Sequence, residues 1–231
     1  MKKELCWIVP SRDRPKKLSK FIKSFIANNK ESDLYVIIDH DDKKYKALFT
    51  NERIQQLERL NVFILINKTK NYSGKFLHIL NDYSMMMCDK YNRIGFLEDD
   101  CVIVTQNIDQ KILNHDYSVI YLNDKKNAPN GIAGAPIIKS SVVKKLGYYS
   151  PPELKCLWAD YYWKVLGDTL GSILFLRHVY VKHEHYEYND NDSEKDDIAR
   201  VMEVHYPSDK IEYHKNRNKY IEHIKKNILE N

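Results

Sequence analysis

The stretch IGFLEDDCVI, residues 94–103, decides the fold. An apolar run over 94–97 stops at three consecutive carboxylates, Glu98, Asp99 and Asp100, and a second apolar run follows. A short apolar run bounded in this way reads as a buried strand whose carboxyl end emerges at a polar place. Adjacent carboxylates repel each other there and have little water into which to spread their charge, so they require a counter-charge or a cation. In extended geometry Glu98 and Asp100 face one side and Asp99 the other.

The same grammar recurs upstream. An apolar run over 5–9 ends at Pro10-Ser11-Arg12-Asp13-Arg14-Pro15, and another over 34–38 ends at Asp39-His40-Asp41-Asp42. A third strand is predicted over 62–66. Between the strands lie predicted helices over 15–28, 47–60 and 75–90, the first carrying Leu18, Phe21, Ile22, Phe25 and Ile26 at spacings that make one apolar face. Fully apolar strands alternating with helices imply an α/β chain with a mainly parallel central sheet covered by helices on both faces. In such sheets ligands gather beyond the carboxyl ends of the strands. The polar segments SRDRP, DHDD and EDD are therefore expected to converge on one edge.

The second half is less regular. Strands are predicted over 119–122, 132–138, 169–175 and 179–182, and helices over 140–146 and 159–165. An acidic stretch over 187–197 reads as an exposed loop, and 210–230 as a charged helix with Ile211, Tyr220, Ile221, Ile224 and Ile228 as a thin apolar seam. The expected division is a nucleotide-binding half over 1–100, an acceptor-binding and catalytic half over 101–190, and the acidic loop and C-terminal helix over 191–231.

Composition sets the outer limits. The 231 residues suit one α/β unit, and 43% apolar content rules out a collagen-like or generally disordered chain. The net charge of +5 is uneven: +7 over residues 1–90, +1 over 91–181 and −3 over 182–231. An N-terminal basic bias favours a phosphate-bearing small molecule, an anionic surface or a nucleic acid without choosing among them. Cys6, Cys88, Cys101 and Cys156 lack paired spacing and read as reduced thiols of a cytoplasmic protein. No stretch is long and apolar enough to span a membrane. The absence of HExxH, GxxxxGK[ST] and GxSxG motifs argues against zinc hydrolases, P-loop enzymes and serine hydrolases.

Several residues carry candidate chemistry. Arg12 can meet a pyrophosphate, and Asp39 and Asp41 can accept hydrogen bonds from a ribose or base. Lys75, behind Gly74, can approach an anion. Asp160 lies in CLWADYYW between Trp158 and Trp163, where desolvation would raise its pKa toward that of a general base. Trp158, Tyr161 and Trp163 offer rings on which sugars or bases stack. His183 and His185 share one side of an extended chain and are candidate metal ligands.

Together these segments resemble nucleotide-sugar glycosyltransferases of the GT-A fold, especially the inverting family 2 type. The resemblance runs through WIVPSRDRPKKLSKFIKSF, LYVIIDHDD, NYSGKFLHILNDYSMMMCDKYNRIGFLEDDCVI and, more loosely, GAPIIKSS and LWADYYW. It implies a single GT-A (Rossmann-like) domain, a nucleoside-diphosphate sugar donor and a Mn²⁺ or Mg²⁺ cofactor. It also implies that Pro10, Ser11, Arg12, Asp39, Asp41, Lys75, Glu98 and Asp99 bind the donor. Glu98-Asp99-Asp100 stands at the family's D-x-D motif, with Glu98 for the first Asp and Asp100 as the metal-binding acid. A later histidine ligates metal in many such enzymes, for which His183 and His185 are candidates. Asp160 stands for the catalytic base, preceded by Ala159 rather than a second acid. The missing Gln/Arg-x-x-Arg-Trp signature argues against a processive polysaccharide synthase.

The acceptor is left open among a glycan, a lipid-linked sugar, a protein hydroxyl and a hydroxymethylated base in DNA, as is the oligomeric state. Competing readings are a sugar nucleotidyltransferase, which would need a Gly-rich loop after the first strand, and a noncatalytic nucleotide- or carbohydrate-binding module.

Overall fold

The computed structural model describes residues 2–68, 75–125, 131–184 and 197–230. The first half runs β1 (Lys3–Ser11), α1 (Pro15–Asn28), β2 (Asp33–Asp39), α2 (Lys43–Leu48), α3 (Asn51–Glu58), β3 (Val62–Asn67), α4 (Phe76–Met87) and β4 (Tyr91–Phe96). The rest runs β5 (Cys101–Ile103), α5 (Ile108–Leu113), β6 (Val119–Asn123), β7 (Pro136–Lys139), α6 (Ser140–Leu146), α7 (Ala159–Thr169), β8 (Ile173–His183) and α8 (Asp197–Ile224), which passes into a wide π turn over Lys225–Leu229.

The strands form one sheet in the order β3-β2-β1-β4-β7-β6-β8-β5. It is a mixed sheet, which corrects the expectation of a mainly parallel one. The pairs β1–β2, β2–β3, β1–β4 and β6–β8 are parallel, whereas β4–β7, β6–β7 and β5–β8 are antiparallel. Parallel neighbours need a crossover such as a helix. The first four strands have one between each pair, but no helix is described between β6 and β7, which fold back on each other.

Two reversals, β4 to β7 and β7 to β6, leave β6 and β8 running in the same direction as β4. The carboxyl ends of β1, β2, β4 and β8 therefore open onto one edge. The antiparallel pairing of Cys101 with His183 then brings the end of β8 against the acidic triplet.

Alternate residues of β1 divide the core. Cys6 and Ile8 join α4, α6, α7 and α8 on one face, while Leu5, Trp7 and Val9 join α1, α3 and α5 on the other. Gly95 has a packing reason: a Cβ there would lie 2.5 Å from the Trp7 ring, its register partner on β1. All four cysteines are buried free thiols. No helix among the described residues is long and apolar enough to cross a membrane.

Several predicted elements differ from those observed, among them the strand predicted over 132–138, which runs only over Pro136–Lys139. The 47–60 helix is two helices, because Asp42 caps the first and Thr50 the second. The two strands predicted over 169–175 and 179–182 are a single β8, whose pairing with β6 shifts register between Leu122 and Asn123. The C-terminal helix starts at Asp197, well before residue 210, with Pro207 inside it. Its buried seam is Asp209, Tyr213, Asn216, Tyr220 and Ile224, and Ile211 is exposed. The acidic stretch over 187–196 and His185 lie outside the described residues.

Candidate active site

Two clefts meet on the edge where the strands end. The first is lined by Pro10, Ser11, Arg12 and Arg14 from the end of β1, Asp39 from β2, Glu98 and Asp99 after β4, and Met202 from α8. The second is lined by Glu98, Cys101, Asp124, Trp158, Asp160, Tyr161, Trp163, His183 and Tyr206, among others. Both share Glu98, Phe76 and Phe96, and the two Phe rings stack with centroids 5.6 Å apart.

In the first cleft the charges are already paired. Arg12 donates to Asp39 at 2.6 Å and to Asp41 at 2.8 Å. The hydrogen bond to Asp41 raises the Arg12 pKa most, outweighing burial, with Asp39 adding to it. Asn67, at the end of β3, donates to the other Asp39 oxygen at 2.9 Å. Ser11 is buried, bonded to the Tyr45 hydroxyl at 2.5 Å, and donates a short hydrogen bond to Asp99. Arg14 donates to the other Asp99 oxygen at 3.0 Å and lies 3.6 Å from Asp100. Burial pushes the Asp99 carboxyl upward against the pull of Arg14.

At the junction, His183 Nε2 lies 3.2 Å from Asp100 and 3.3 Å from Glu98. Lys17 reaches Asp100 at 3.6 Å. Burial disfavours the Asp100 charge, but hydrogen bonding and charge from His183, with Arg14 and Lys17, hold its carboxyl well below the usual range. Burial likewise opposes protonation of His183, and Glu98 and Asp100 overcome it, raising its pKa well above the ordinary histidine value.

Donor atoms of Asp100, Cys101 and His183 lie within 4.8 Å of one another, a candidate metal-binding cluster. A divalent cation fits here. Asp100 Oδ1 is fully buried and forms no well-aligned hydrogen bond among the described residues, and carboxylate oxygens beside an imidazole suit Mn²⁺ or Mg²⁺. Cys101 is the weakest of the three toward a hard cation, because burial pushes its thiol pKa well up, and Glu98 offers an oxygen on the same imidazole.

In the second cleft Asp160 occupies the first turn of α7 and accepts the Tyr161 backbone N–H at 3.0 Å. Burial, with a smaller contribution from Glu98, raises its pKa to about 6. Trp158 precedes it in a left-handed conformation, φ 66°, which is strained for a bulky residue. Its ring is held by stacking on Tyr161 at 4.5 Å and by contacts with Tyr206, Tyr213 and His214. Trp158 Nε1 is buried and has no hydrogen-bond acceptor among the described residues. The loop before Trp158 hangs on Asp209 of α8, whose buried carboxylate accepts the backbone N–H groups of Lys155, Cys156 and Leu157.

Of the residues singled out from the sequence, Pro10, Ser11, Arg12, Asp39, Glu98 and Asp99 line the first cleft, and Asp160, Trp158, Tyr161, Trp163 and His183 the second. Asp41 is exposed and reaches the cleft through Arg12. Trp163 is buried, donating its indole N–H to the Tyr149 carbonyl. Lys75 sits at the start of α4 beside Phe76. Sequence reasoning passed over Lys17, Asp124, Met202, Tyr206 and Asp209. Lys17 carried a usable signal, standing one helical turn after Arg14; α8 carried none, because its contribution depends on where that helix docks.

The fold matches known structures. TarS residues 1–349 of S. aureus in complex with UDP superposes with a TM-score of 0.58 at 15% identity, over 77% of this chain and 59% of that one. The mannosyltransferase PcManGT of Pyrobaculum calidifontis, in complex with GDP-Man and Mn²⁺, gives 0.60 at 9% identity, over 81% of this chain and 59% of that one. The glycosyltransferase GlyE of Streptococcus pneumoniae TIGR4 gives 0.52 at 9% identity, over 90% and 64%. The chain thus spans about three fifths of the length of these proteins. No family model and no curated protein sequence matches it. At these identities the likeness is one of fold, a GT-A-like α/β domain of the kind found in glycosyltransferases.

Proposed function

We propose that the protein is a metal-dependent glycosyltransferase that moves a sugar from a nucleoside-diphosphate donor to an acceptor hydroxyl with inversion. One observation carries the reading: Glu98 and its neighbours Asp100 and His183 lie where a cleft lined by Arg12 and Arg14 meets an aromatic cleft holding Asp160.

In this reading Asp39 and the rim of β1 receive the nucleoside, and Arg12 and Arg14 face the diphosphate. Asp100 and His183, with Glu98 alongside, would hold a Mn²⁺ or Mg²⁺ ion, which when bound supplies charge neutralisation to the leaving diphosphate. Asp160 accepts the proton of the acceptor hydroxyl, which attacks the anomeric carbon from the face opposite the leaving group. The stacked Phe76 and Phe96 wall both clefts and limit water at the point of attack. A base pKa of about 6 leaves Asp160 ionised at neutral pH and still basic enough to take the proton.

The test is a screen of nucleoside-diphosphate sugars with Mn²⁺ or Mg²⁺, reading release of free nucleoside diphosphate. Slow release without an acceptor identifies the donor. No release and no binding of any donor sinks the transferase reading.

A further inference from the structure

The second cleft has a charge pattern of its own. Glu98, Asp124 and Asp160 line it with His183, and no Lys or Arg does so among the described residues. At the rim, Lys210 stands over the Trp158 ring at 5.7 Å. The lining also offers the hydroxyls of Tyr161 and Tyr206 and the buried Trp158 Nε1, a donor with no acceptor among the described residues. Beside it Trp158 stacks behind Tyr161, leaving Tyr161 39% and Tyr206 47% exposed.

A phosphate or sialyl carboxylate bound against Asp160 would meet a carboxylate that has no Lys or Arg partner among the described residues. Like-charge juxtaposition of that kind selects against a ligand as effectively as a steric clash. Hydroxyl-bearing rings have the opposite fit. Their C–H faces lie on aromatic rings, their hydroxyls donate to carboxylates, and a ring or hydroxyl oxygen accepts from an indole N–H. The contacts of Trp158 with Tyr161, Tyr206, Tyr213 and His214 hold this platform in place before anything binds.

We propose that the acceptor is an uncharged saccharide, seated with one ring face on the exposed Tyr161 ring, which Trp158 backs, and one hydroxyl on Asp160. The proposal rests on the glycosyltransferase reading for the word acceptor, but the binding site stands on its own geometry. It predicts that no phosphate of DNA or of a phosphate-bearing polymer enters this cleft.

The experiment is a titration of the full chain, followed by tryptophan fluorescence and by calorimetry. The probes are uncharged mono- to trisaccharides of glucose, galactose, mannose and N-acetylglucosamine, their phosphorylated or sialylated counterparts, and a hydroxymethylcytosine-bearing duplex. At least one uncharged saccharide is expected to bind, with affinity lowered about tenfold or more by Trp158→Ala. Its anionic counterpart is expected to bind about tenfold more weakly, and Asp160→Asn to narrow that gap. Tyr161→Ala, at a partly exposed position, provides a second variant should Trp158→Ala fail to fold.

Anionic sugar or duplex binding as tight as that of the uncharged saccharide, and sensitive to the same variants, overturns the proposal. So does the absence of saccharide binding across the panel. Nucleoside diphosphate binding is measured in parallel. Nucleotide binding without saccharide binding defeats this inference alone, whereas saccharide binding without any nucleotide binding defeats the transferase reading and leaves the saccharide site standing.

Discussion

In the first cleft Asp39 is held by Arg12 and Asp99 by Arg14, and at the junction Asp100 is held by Lys17 and His183. In the second, Asp160 has no Lys or Arg partner among the described residues, and its neighbours are rings. One rim of the sheet thus handles carboxylates in two ways. Asp100, beside His183, Arg14 and Lys17, is held ionised, whereas burial lifts the Asp99 carboxyl despite its bond to Arg14, so pairing alone does not set the charge. A desolvated acid without a cation keeps proton affinity, as a base requires. The contrast suits a reaction in which one partner leaves as a diphosphate and the other arrives with a proton to lose.

The contrast is broken most severely at Asp160. Asp160→Asn should lower transfer by about 10²–10⁴-fold while leaving nucleoside diphosphate affinity unchanged. Retained transfer removes Asp160 from the role of base. In the native chain kcat/KM should rise about tenfold per pH unit below a pH of about 6 and level off above it, since the base acts only when ionised. Stability should respond with the opposite sign. The folded Asp160 holds its proton more tightly than the unfolded chain does, so its contribution favours folding at low pH and is lost as pH rises through about 6. A profile flat between pH 5 and about 7 contradicts the assignment.

Asp209 is next in size. Replacing it by Ala strands the N–H groups of Lys155, Cys156 and Leu157, at a cost of about 3 kcal/mol in denaturant unfolding. Because the loop it holds presents Trp158 and Asp160, the variant should also raise the acceptor KM and leave nucleotide affinity alone. An equal loss at both clefts would mean that Asp209 supports the whole fold rather than this loop. At the junction, Asp100→Asn should weaken metal-dependent nucleotide binding by about 10–100-fold, with chelator abolishing the difference between the variant and the native chain. Unchanged affinity in the presence of Mn²⁺ removes Asp100 from the cation site.

The two clefts also differed in how legible they were. The first is built from residues a few positions past apolar strands, and the rule that parallel strands end on one edge carries Ser11, Arg12, Asp39 and Glu98 together without any knowledge of packing. The second depends on contacts distant in sequence. His183 reaches Asp100 because β5 pairs with β8, and Tyr206 and Asp209 arrive on α8, which no local pattern docks. Pro207 made that helix look shorter than it is, because proline ordinarily breaks a helix interior. The mixed sheet was missed for a related reason. Short apolar strands look alike whether their neighbours run with or against them, and only the connection between β6 and β7 tells the two apart.

The smallest effect tests the first cleft from within. Arg12 binds two carboxylates, but Asp39 is 9% exposed and also receives Asn67, whereas the Asp41 side chain is 56% exposed. A charged hydrogen bond counts for more where water cannot replace it. Asp39→Asn should therefore lower nucleoside diphosphate affinity about tenfold, both by removing a nucleoside contact and by releasing Arg12 from its buried partner. Asp41→Asn should change it by less than about twofold, because Arg12 keeps Asp39 and water takes the exposed place. Calorimetric titration of both variants with the nucleotide found in the donor screen measures the ratio. If Asp41→Asn proves the more damaging, the nucleoside contact lies on the exposed acid, and the buried pair of Arg12 and Asp39 serves to hold the end of β1 against the end of β2.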